Sequence, residues 1–313
     1  WDSFHGLVGC KKGIKAAGIG LMKKYLQYFG YLNDSYRDFS DEFDENLDAA
    51  VRDYQLNFNL GVTGELDEST VDLMAQPRCG NLDVINGTST MASGKSSDTF
   101  RGIRNVGRHS FFPNRPRWPP GRDRLTYAFL PENRLPAPTR SAFARAFRRW
   151  SAVTPLSFVE TEAFEGADIR IAFFRGDHGD GEPFDGLLGT LAHAFSPPSG
   201  RFHLDGDENW VVDGDFLDAT RTSAVDLESV AVHEIGHLLG LGHSSVREAI
   251  MYPTIAFGTR KVDLVDDDIA GIQELYGPNP NKLRSGPEPN PNHPSDPSPS
   301  ASLSVHSFWT HIV

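Results

Sequence analysis

The feature that most constrains this chain is an eleven-residue segment with three histidines, His233-Glu234-Ile235-Gly236-His237-Leu238-Leu239-Gly240-Leu241-Gly242-His243. On a helix, residues four positions apart share a face, so His233 and His237 can bind one Zn²⁺ ion. Gly240 permits the left-handed turn that ends the helix, and this turn brings His243 back as a third ligand. Glu234 then lies beside the metal without binding it, and a fourth metal position stays open, as a catalytic zinc requires.

The alternative, a helix whose surface histidines fit by coincidence, leaves the glycine and the third histidine at their fixed offsets unexplained. The segment resembles the zinc-binding signature of the metzincins. Ser244 and Met251-Tyr252-Pro253 are similar to the matrix metalloproteinase (matrixin) branch. The resemblance implies a zinc endopeptidase in which Met251 is the Met-turn residue beneath the metal.

Composition narrows the partners and the compartment. The 313 residues carry a formal net charge of −12 without a basic cluster, which argues against nucleic acid and anionic membranes as partners. Two cysteines exclude a disulfide scaffold, and no apolar run reaches the 18 residues of a membrane span. The chain begins at Trp1 without an apolar segment, so a signal peptide, if there was one, has been removed. The glycosylation sequons at Asn33 and Asn86 fit secretion to the extracellular space or apoplast.

The composition changes along the chain predict four regions. They are a helical prodomain (1–80), an exposed linker (81–115), a zinc protease domain (116–277) and a disordered Pro/Ser-rich tail (278–313). The expected fold class is α+β, with a mixed twisted sheet and helices preceded by a small all-α unit. The last residues, Leu303–Val313, are a candidate lipid-anchor signal.

Local patterns place the elements. Five apolar residues define one helical face in the prodomain: Leu47, Ala50, Val51, Tyr54 and Phe58. In the second domain the sequence predicts a strand over Leu125–Leu130, a helix N-capped by Thr139, and a helix over Leu227–Leu241.

A second histidine group lies in a loop-rich stretch and comprises His178, Asp180, His193 and His203. Three imidazoles and a carboxylate can close a tetrahedral structural zinc site, although scattered surface histidines are an equal reading from the residues alone. The surrounding sequence is similar to the matrixin structural-zinc segment, which implies a second zinc.

The same resemblance implies at least one calcium ion. Asp185, Asp205 and Glu208 offer hard oxygen ligands, completed by carbonyls of Gly186, Leu188 and Thr190. The further calcium sites of the family are not expected, because Gly206 stands where a carboxylate is common and the loop 196–202 is short.

The segment Pro77-Arg78-Cys79-Gly80-Asn81-Leu82-Asp83 resembles the matrixin cysteine switch, in which Cys79 fills the open zinc position and keeps the enzyme latent. Asn81-Leu82 departs from the common Val-Pro of animal relatives. The alternative is a Cys10–Cys79 disulfide, which would abolish latency. Residues 47–67 look like a peptidoglycan-binding-like fold, and the resemblance over about residues 5–277, with no hemopexin-type segment, is greatest to short plant-type matrixins.

The mechanism implied is zinc-assisted peptide hydrolysis with Glu234 as general base. The substrate is expected to add a strand along 189–192, contacting Leu191 and Ala192, and to place an apolar side chain such as Leu in a pocket walled by Pro253 and Ile255. Ser229 and the loop 256–262 are candidates for setting its depth.

After activation, a new N-terminus within 103–112 is expected to pair with Asp267 or Asp268, whose alternative role is helix N-capping. The expected partners are protein or peptide substrates, an activating protease and protein inhibitors, with the chain itself a monomer. The competing function is a non-catalytic glycan- or cell-wall-binding protein in which the zinc is structural.

Overall fold

The computed structural model describes residues 2–91, 109–213 and 223–281. Residues 92–108 of the predicted activation linker and residues 282–313 of the predicted tail therefore lie outside the described residues. The N-terminal unit begins with a 3₁₀ helix, Asp2–Leu7, followed by α1 (Ile19–Tyr28), α2 (Glu45–Asn57) and α3 (Glu68–Met74). The five apolar residues of the predicted helical face are all buried, and they belong to an N-terminal hydrophobic core that also includes Tyr252.

Residues 78–91 fold more tightly than their composition predicts. They contain β1 (Arg78–Cys79), β2 (Val84–Ile85) and β3 (Thr88–Ser89), and β2 and β3 pair as an antiparallel hairpin. Asp83, Thr90 and Met91 in this segment are buried. Within the predicted exposed linker, Leu82 and residues 86–88 are exposed, whereas the buried residues are held by hydrogen bonds such as Thr90 N–H to Asp83 O (2.7 Å), which no apolar pattern in the sequence indicates.

The second unit is built on a mixed sheet. Its strands are β4 (Arg124–Phe129), β5 (Ser157–Glu160), β6 (Ile169–Phe174), β7 (Thr190–Ala194) and β8 (Arg201–Asp205). With β1 they form one six-stranded sheet in the order β1-β7-β8-β6-β4-β5, in which β7 runs antiparallel to β8. A short parallel pair, β9 (Asn209–Val211) and β10 (Ala224–Asp226), lies apart from it.

Among its described residues this unit has three α-helices, α4 (Ala137–Val153), α5 (Leu227–Leu238) and α6 (Asp266–Tyr276), and two short 3₁₀ helices, Pro131–Asn133 and Phe164–Gly166. The α4 helix packs on α5, and the buried Trp150 donates its indole N–H to Val232 O (2.9 Å). The α+β prediction is confirmed. Two helix ends differ from prediction: α4 begins at Ala137 rather than after Thr139, since proline fits the first helical turn, and α5 ends at Leu238 rather than Leu241. No helix among the described residues is long and apolar enough to cross a membrane.

Candidate metal centre

Helix α5 presents the first two histidines of the motif to one point. His233 and His237 are buried, and their Nε2 atoms lie 3.1 Å apart. The Nδ1 atoms face main-chain carbonyls, that of His233 toward Ile250 O (2.7 Å) and that of His237 toward Leu241 O (2.8 Å). A carbonyl can only accept, so each Nδ1 carries the proton and each Nε2 keeps a free lone pair, which is the form that binds metal.

The turn after α5 brings in the third histidine. Gly240 has φ of 103°, and a Cβ at this position would lie 2.1 Å from Pro116 O. His243 then lies with its Nδ1 2.8 Å from Asp83 Oδ1, while its buried Nε2 has no hydrogen-bond partner among the residues that the structure describes. Burial lowers the pKa of all three imidazoles, which keeps them neutral. The Nε2 of His243 therefore lies close to those of His233 and His237 and has no other partner, as expected of a zinc ligand.

Cys79 supplies a fourth donor. Its Sγ lies 3.4 Å from His237 Nε2, and the four ligand atoms of Cys79 and the three histidines all lie within 4.8 Å of one another. Burial, and to a smaller extent Glu234, raises the pKa of the Cys79 thiol well above its usual value. A thiolate at this position therefore requires a neighbouring cation. Both cysteines are free, so the alternative Cys10–Cys79 disulfide is wrong.

Glu234 follows the first histidine on α5 and is fully buried. The Cys79 thiol lies close enough to lower the pKa of this carboxylate slightly, and its oxygens otherwise have no hydrogen-bond partner among the described residues. Burial raises its pKa to about 8, because a charged carboxylate loses its hydration there. Such a group is poised to take and return a proton.

Met251 lies directly under α5. A Cβ on Gly236 would be 2.3 Å from the Met251 sulfur, so only glycine lets the helix approach this side chain. Asp268 fixes the turn, since its carboxylate accepts from the N–H groups of Ile250 (2.9 Å) and Met251 (3.1 Å). It also accepts from Val265 N–H (3.0 Å), which is the capping role considered for it from the sequence. Asp267 accepts from the Ser244 hydroxyl (2.6 Å).

The second histidine group also converges. One oxygen of Asp180 lies 2.8–2.9 Å from His178 Nε2, His193 Nε2 and His203 Nδ1. Burial lowers the pKa of His193 and of His203 to about 4, so both rings stay neutral. Although burial opposes it, hydrogen bonds from Glu182 N–H and His193 lower the pKa of Asp180. The four ligand atoms lie within 4.8 Å of one another, as in a tetrahedral zinc site.

The predicted calcium carboxylates surround the loop 185–190. Asp185 accepts from Thr190 N–H (2.9 Å), Asp205 from Gly186 N–H (3.1 Å) and Glu208 from Leu188 N–H (2.8 Å). Burial, reinforced by the charge of Asp205, raises the pKa of Asp185 to about 6 and that of Glu208 to about 7. The second Glu208 oxygen is buried without a hydrogen-bond partner in the described chain. This mutual repulsion fits a hard cation.

The segment around Cys79 fills the groove predicted for substrate. Arg78 N–H donates to Gly189 O and Gly80 N–H to Ala192 O, both at 2.8 Å, so β1 lies along β7. On the other side, Cys79 N–H donates to Pro253 O (2.9 Å). A cavity adjoins this segment, and its lining includes Leu191, Pro253 and Ile255 from the predicted substrate residues. Ala192 contacts β1 through its carbonyl.

Sequence reasoning missed two residues of the switch segment. Asn81 donates its side-chain amide to Ala194 O (2.7 Å) and accepts from Ala194 N–H (3.0 Å), which extends the ladder between β1 and β7 by a side chain. Asp83 pairs with both His243 and the buried Arg78, whose Nη2 lies 2.7 Å away. A carboxylate close to the cysteine was the available signal for Asp83, whereas Asn81 carries none. The sequon residues Asn33 and Asn86 are both exposed.

Three neutral imidazoles converge on one point, and the carboxylate beside them is bound by none of the three. This arrangement is typical of the catalytic site of a zinc metalloendopeptidase. Residues 117–277 match the matrixin family, and residues 15–74 match the putative peptidoglycan binding domain. The chain belongs to the matrixin family and is a zinc-dependent metalloendopeptidase.

Named relatives agree with this assignment. The chain is 59% identical to Metalloendoproteinase 2-MMP of Arabidopsis thaliana over 90% of this chain and 76% of that protein. It is 49% identical to Metalloendoproteinase 1 of Glycine max, over 84% and 83% respectively. It is also 37% identical to interstitial collagenase of Oryctolagus cuniculus, over 84% of this chain and 50% of that protein. The non-catalytic wall-binding function is therefore wrong for the whole chain.

Proposed function

We propose that this chain is the latent form of a secreted zinc endopeptidase, held inactive by Cys79. One observation supports this proposal above all. The fourth donor at the His233/His237/His243 cluster, Cys79, belongs to the same segment that pairs with β7 in the groove beside the cluster. This segment would thus occupy the open metal position and also block substrate from the groove. Release of that segment would free both together.

In the open enzyme the zinc, when bound, supplies a Lewis acid that polarises the scissile carbonyl. Glu234 accepts a proton from the attacking water and passes it to the leaving nitrogen. Its burial and its lack of another partner keep the carboxylate free for this exchange. The peptide adds a strand along 189–192, and the side chain just after the cut enters the cavity beside the metal centre, where Leu suits the apolar walls.

Two further metals complete the proposal. His178, Asp180, His193 and His203 hold a structural zinc, and the loop 185–190 with Asp205 and Glu208 holds one calcium ion. Both stabilise a stretch with few apolar side chains, since metal binding supplies the folding free energy that a core would otherwise provide. Chelation should therefore lower the thermal stability of the chain as well as its activity.

The proposed function also includes where the protein acts, how it is activated and what it binds. Secretion to the extracellular space or apoplast is supported by the exposure of Asn33 and Asn86. Activation requires a protease that cuts within 103–112, of which only 109–112 lie among the described residues. The new N-terminus then pairs with Asp267 or Asp268. The chain acts as a monomer on protein or peptide substrates and is open to protein inhibitors. The candidate lipid-anchor signal, Leu303–Val313, lies outside the described residues.

The experiment compares the full chain before and after treatment with an organomercurial, which ligates the Cys79 thiol. A quenched peptide with Leu after the cut should be hydrolysed only after treatment and not in the presence of a chelator. Glu234→Gln should lower kcat by at least about 10²-fold, because it removes the proton acceptor. Zinc content should stay unchanged, since Glu234 is not a ligand. A Glu234→Gln enzyme that turns over normally would refute the role of this carboxylate.

A further inference from the structure

The cavity beside the metal centre has a polar far end. Its lining includes Ser229 and Lys261 as well as apolar side chains. Lys261 N–H donates to Ser229 Oγ (2.8 Å), and Ser229 precedes His233 by four residues on α5. One helical turn is about 5.4 Å. The main chain at Lys261 therefore lies about one turn farther from the metal than His233, and Lys261 forms part of the cavity lining there.

Lys261 is held in place from several sides. Its Nζ donates to Arg247 O (2.7 Å) and lies 5.5 Å from the centre of the Tyr252 ring, which also lines the cavity. The preceding residue, Arg260, donates to the fully buried Glu228 (2.8 Å). A loop anchored in this way presents the same end group to every substrate.

The ammonium group of Lys261 has capacity left for a ligand. An ammonium carries three N–H donors, and the hydrogen bond to Arg247 O uses one of them. No carboxylate lies within 4.0 Å of Nζ among the described residues. Its nearest charged neighbours include the acids Asp268 and Glu248 and the cation Arg247. Lys261 is half-buried, and burial lowers its pKa to about 8.

We propose that Lys261 is a specificity-determining residue that favours substrates whose side chain just after the cut is long, unbranched near its base, and ends in a hydrogen-bond acceptor. Glutamine is the natural residue that best fits this description. Its methylene groups contact the apolar walls and its carbonyl oxygen accepts from the ammonium. Norleucine, of similar length, leaves the ammonium unsatisfied, and a lysine side chain places two cations together. Leucine is accepted because it is too short to reach Lys261.

This inference rests on the proposed peptidase function, and its test separates the two. The full chain, activated with the organomercurial, is assayed on three peptides that differ only in the residue after the cut: leucine, glutamine and norleucine. The glutamine-to-norleucine ratio of kcat/KM should fall about tenfold in Lys261→Met, because a hydrogen bond to a charged group is lost. Cleavage of the leucine peptide should change little.

Arg247→Met is the matched control, since it removes a cation from the same neighbourhood through an exposed side chain that does not line the cavity. It should leave the ratio unchanged. Lys261→Gln is the second variant and should give an intermediate ratio. An unchanged ratio in Lys261→Met overturns the inference, as does loss of leucine-peptide cleavage in both Lys261 variants. Absence of cleavage by the unmodified chain would instead refute the peptidase function itself.

Discussion

The latent state should depend on one buried ion pair in the switch segment. Arg78 Nη2 and Asp83 Oδ1 are 2.7 Å apart, and both side chains are fully buried. The Arg78 guanidinium also lies 3.5 Å from the centre of the Phe29 ring, so it is enclosed by the prodomain core. Asp83→Asn would leave this cation without a counter-charge and would weaken the contact to His243.

The magnitude follows from burial. Removing one partner of a buried ion pair costs about 3–5 kcal/mol. If that cost falls on the closed arrangement, the ratio of open to latent molecules rises by roughly 10²- to 10³-fold or more, since about 1.4 kcal/mol corresponds to a factor of ten. Burial by itself would raise the pKa of Asp83, but Arg78 and His243 hold it below its usual value. The carboxylate is therefore ionised in the latent state.

The assay is the rate at which a thiol reagent modifies Cys79 in the uncut chain, located by peptide mass. When closing is fast, this rate follows the population of the open form. The control is Asp48→Asn, which breaks the Asp48–Arg52 pair on the surface of α2 at a similar separation of 2.8 Å. The control should change nothing measurable, because water already solvates that pair. Equal Cys79 reactivity in Asp83→Asn and the unmodified chain would refute the reasoning.

Three further predictions concern the support of the site. Gly240→Ala should reduce zinc content and lower Tm, because the left-handed backbone and the nearby carbonyl of Pro116 leave no room for a Cβ. Gly258→Ala is the control: its backbone is also left-handed but the space around it is open, so the same measurements should change less. Glu228→Gln should lower the free energy of unfolding, measured in urea, by about 3–5 kcal/mol, because three arginines lose a fully buried counter-charge. The control Asp263→Asn should have little effect, since the Asp263 side chain is 90% exposed. Lys261→Met should stabilise the latent chain at pH 7, and this gain should shrink as pH rises from about 8 toward 10.5. The sign follows because a lysine whose pKa is lowered on folding opposes folding most where it is still charged, and a pH-independent difference in unfolding free energy would contradict it.

Much of the metal centre was predictable because its geometry is local. The spacing of His233 and His237 fixes a shared helical face, and a single glycine explains how the chain returns to bring in His243. The same holds for the buried face of α2, where the 3.6-residue period alone selects the core residues. The residues alone did not distinguish the second metal cluster from scattered surface histidines, because loop residues 25 positions apart carry no periodicity that would bring them together.

Tertiary structure decided what lies around those ligands. Asp83 binds the Nδ1 of His243, Asn81 extends a β ladder with its side chain, and Lys261 lines the cavity beside the metal centre. All three features depend on contacts between residues 32 to 160 positions apart. The order of residues 81–91 was missed for the same reason, since it comes from hydrogen bonds and not from an apolar pattern. A sequence encodes local geometry through backbone preference and side-chain period, whereas the packing of distant segments depends on the free energy of the whole fold, which no short window of residues contains.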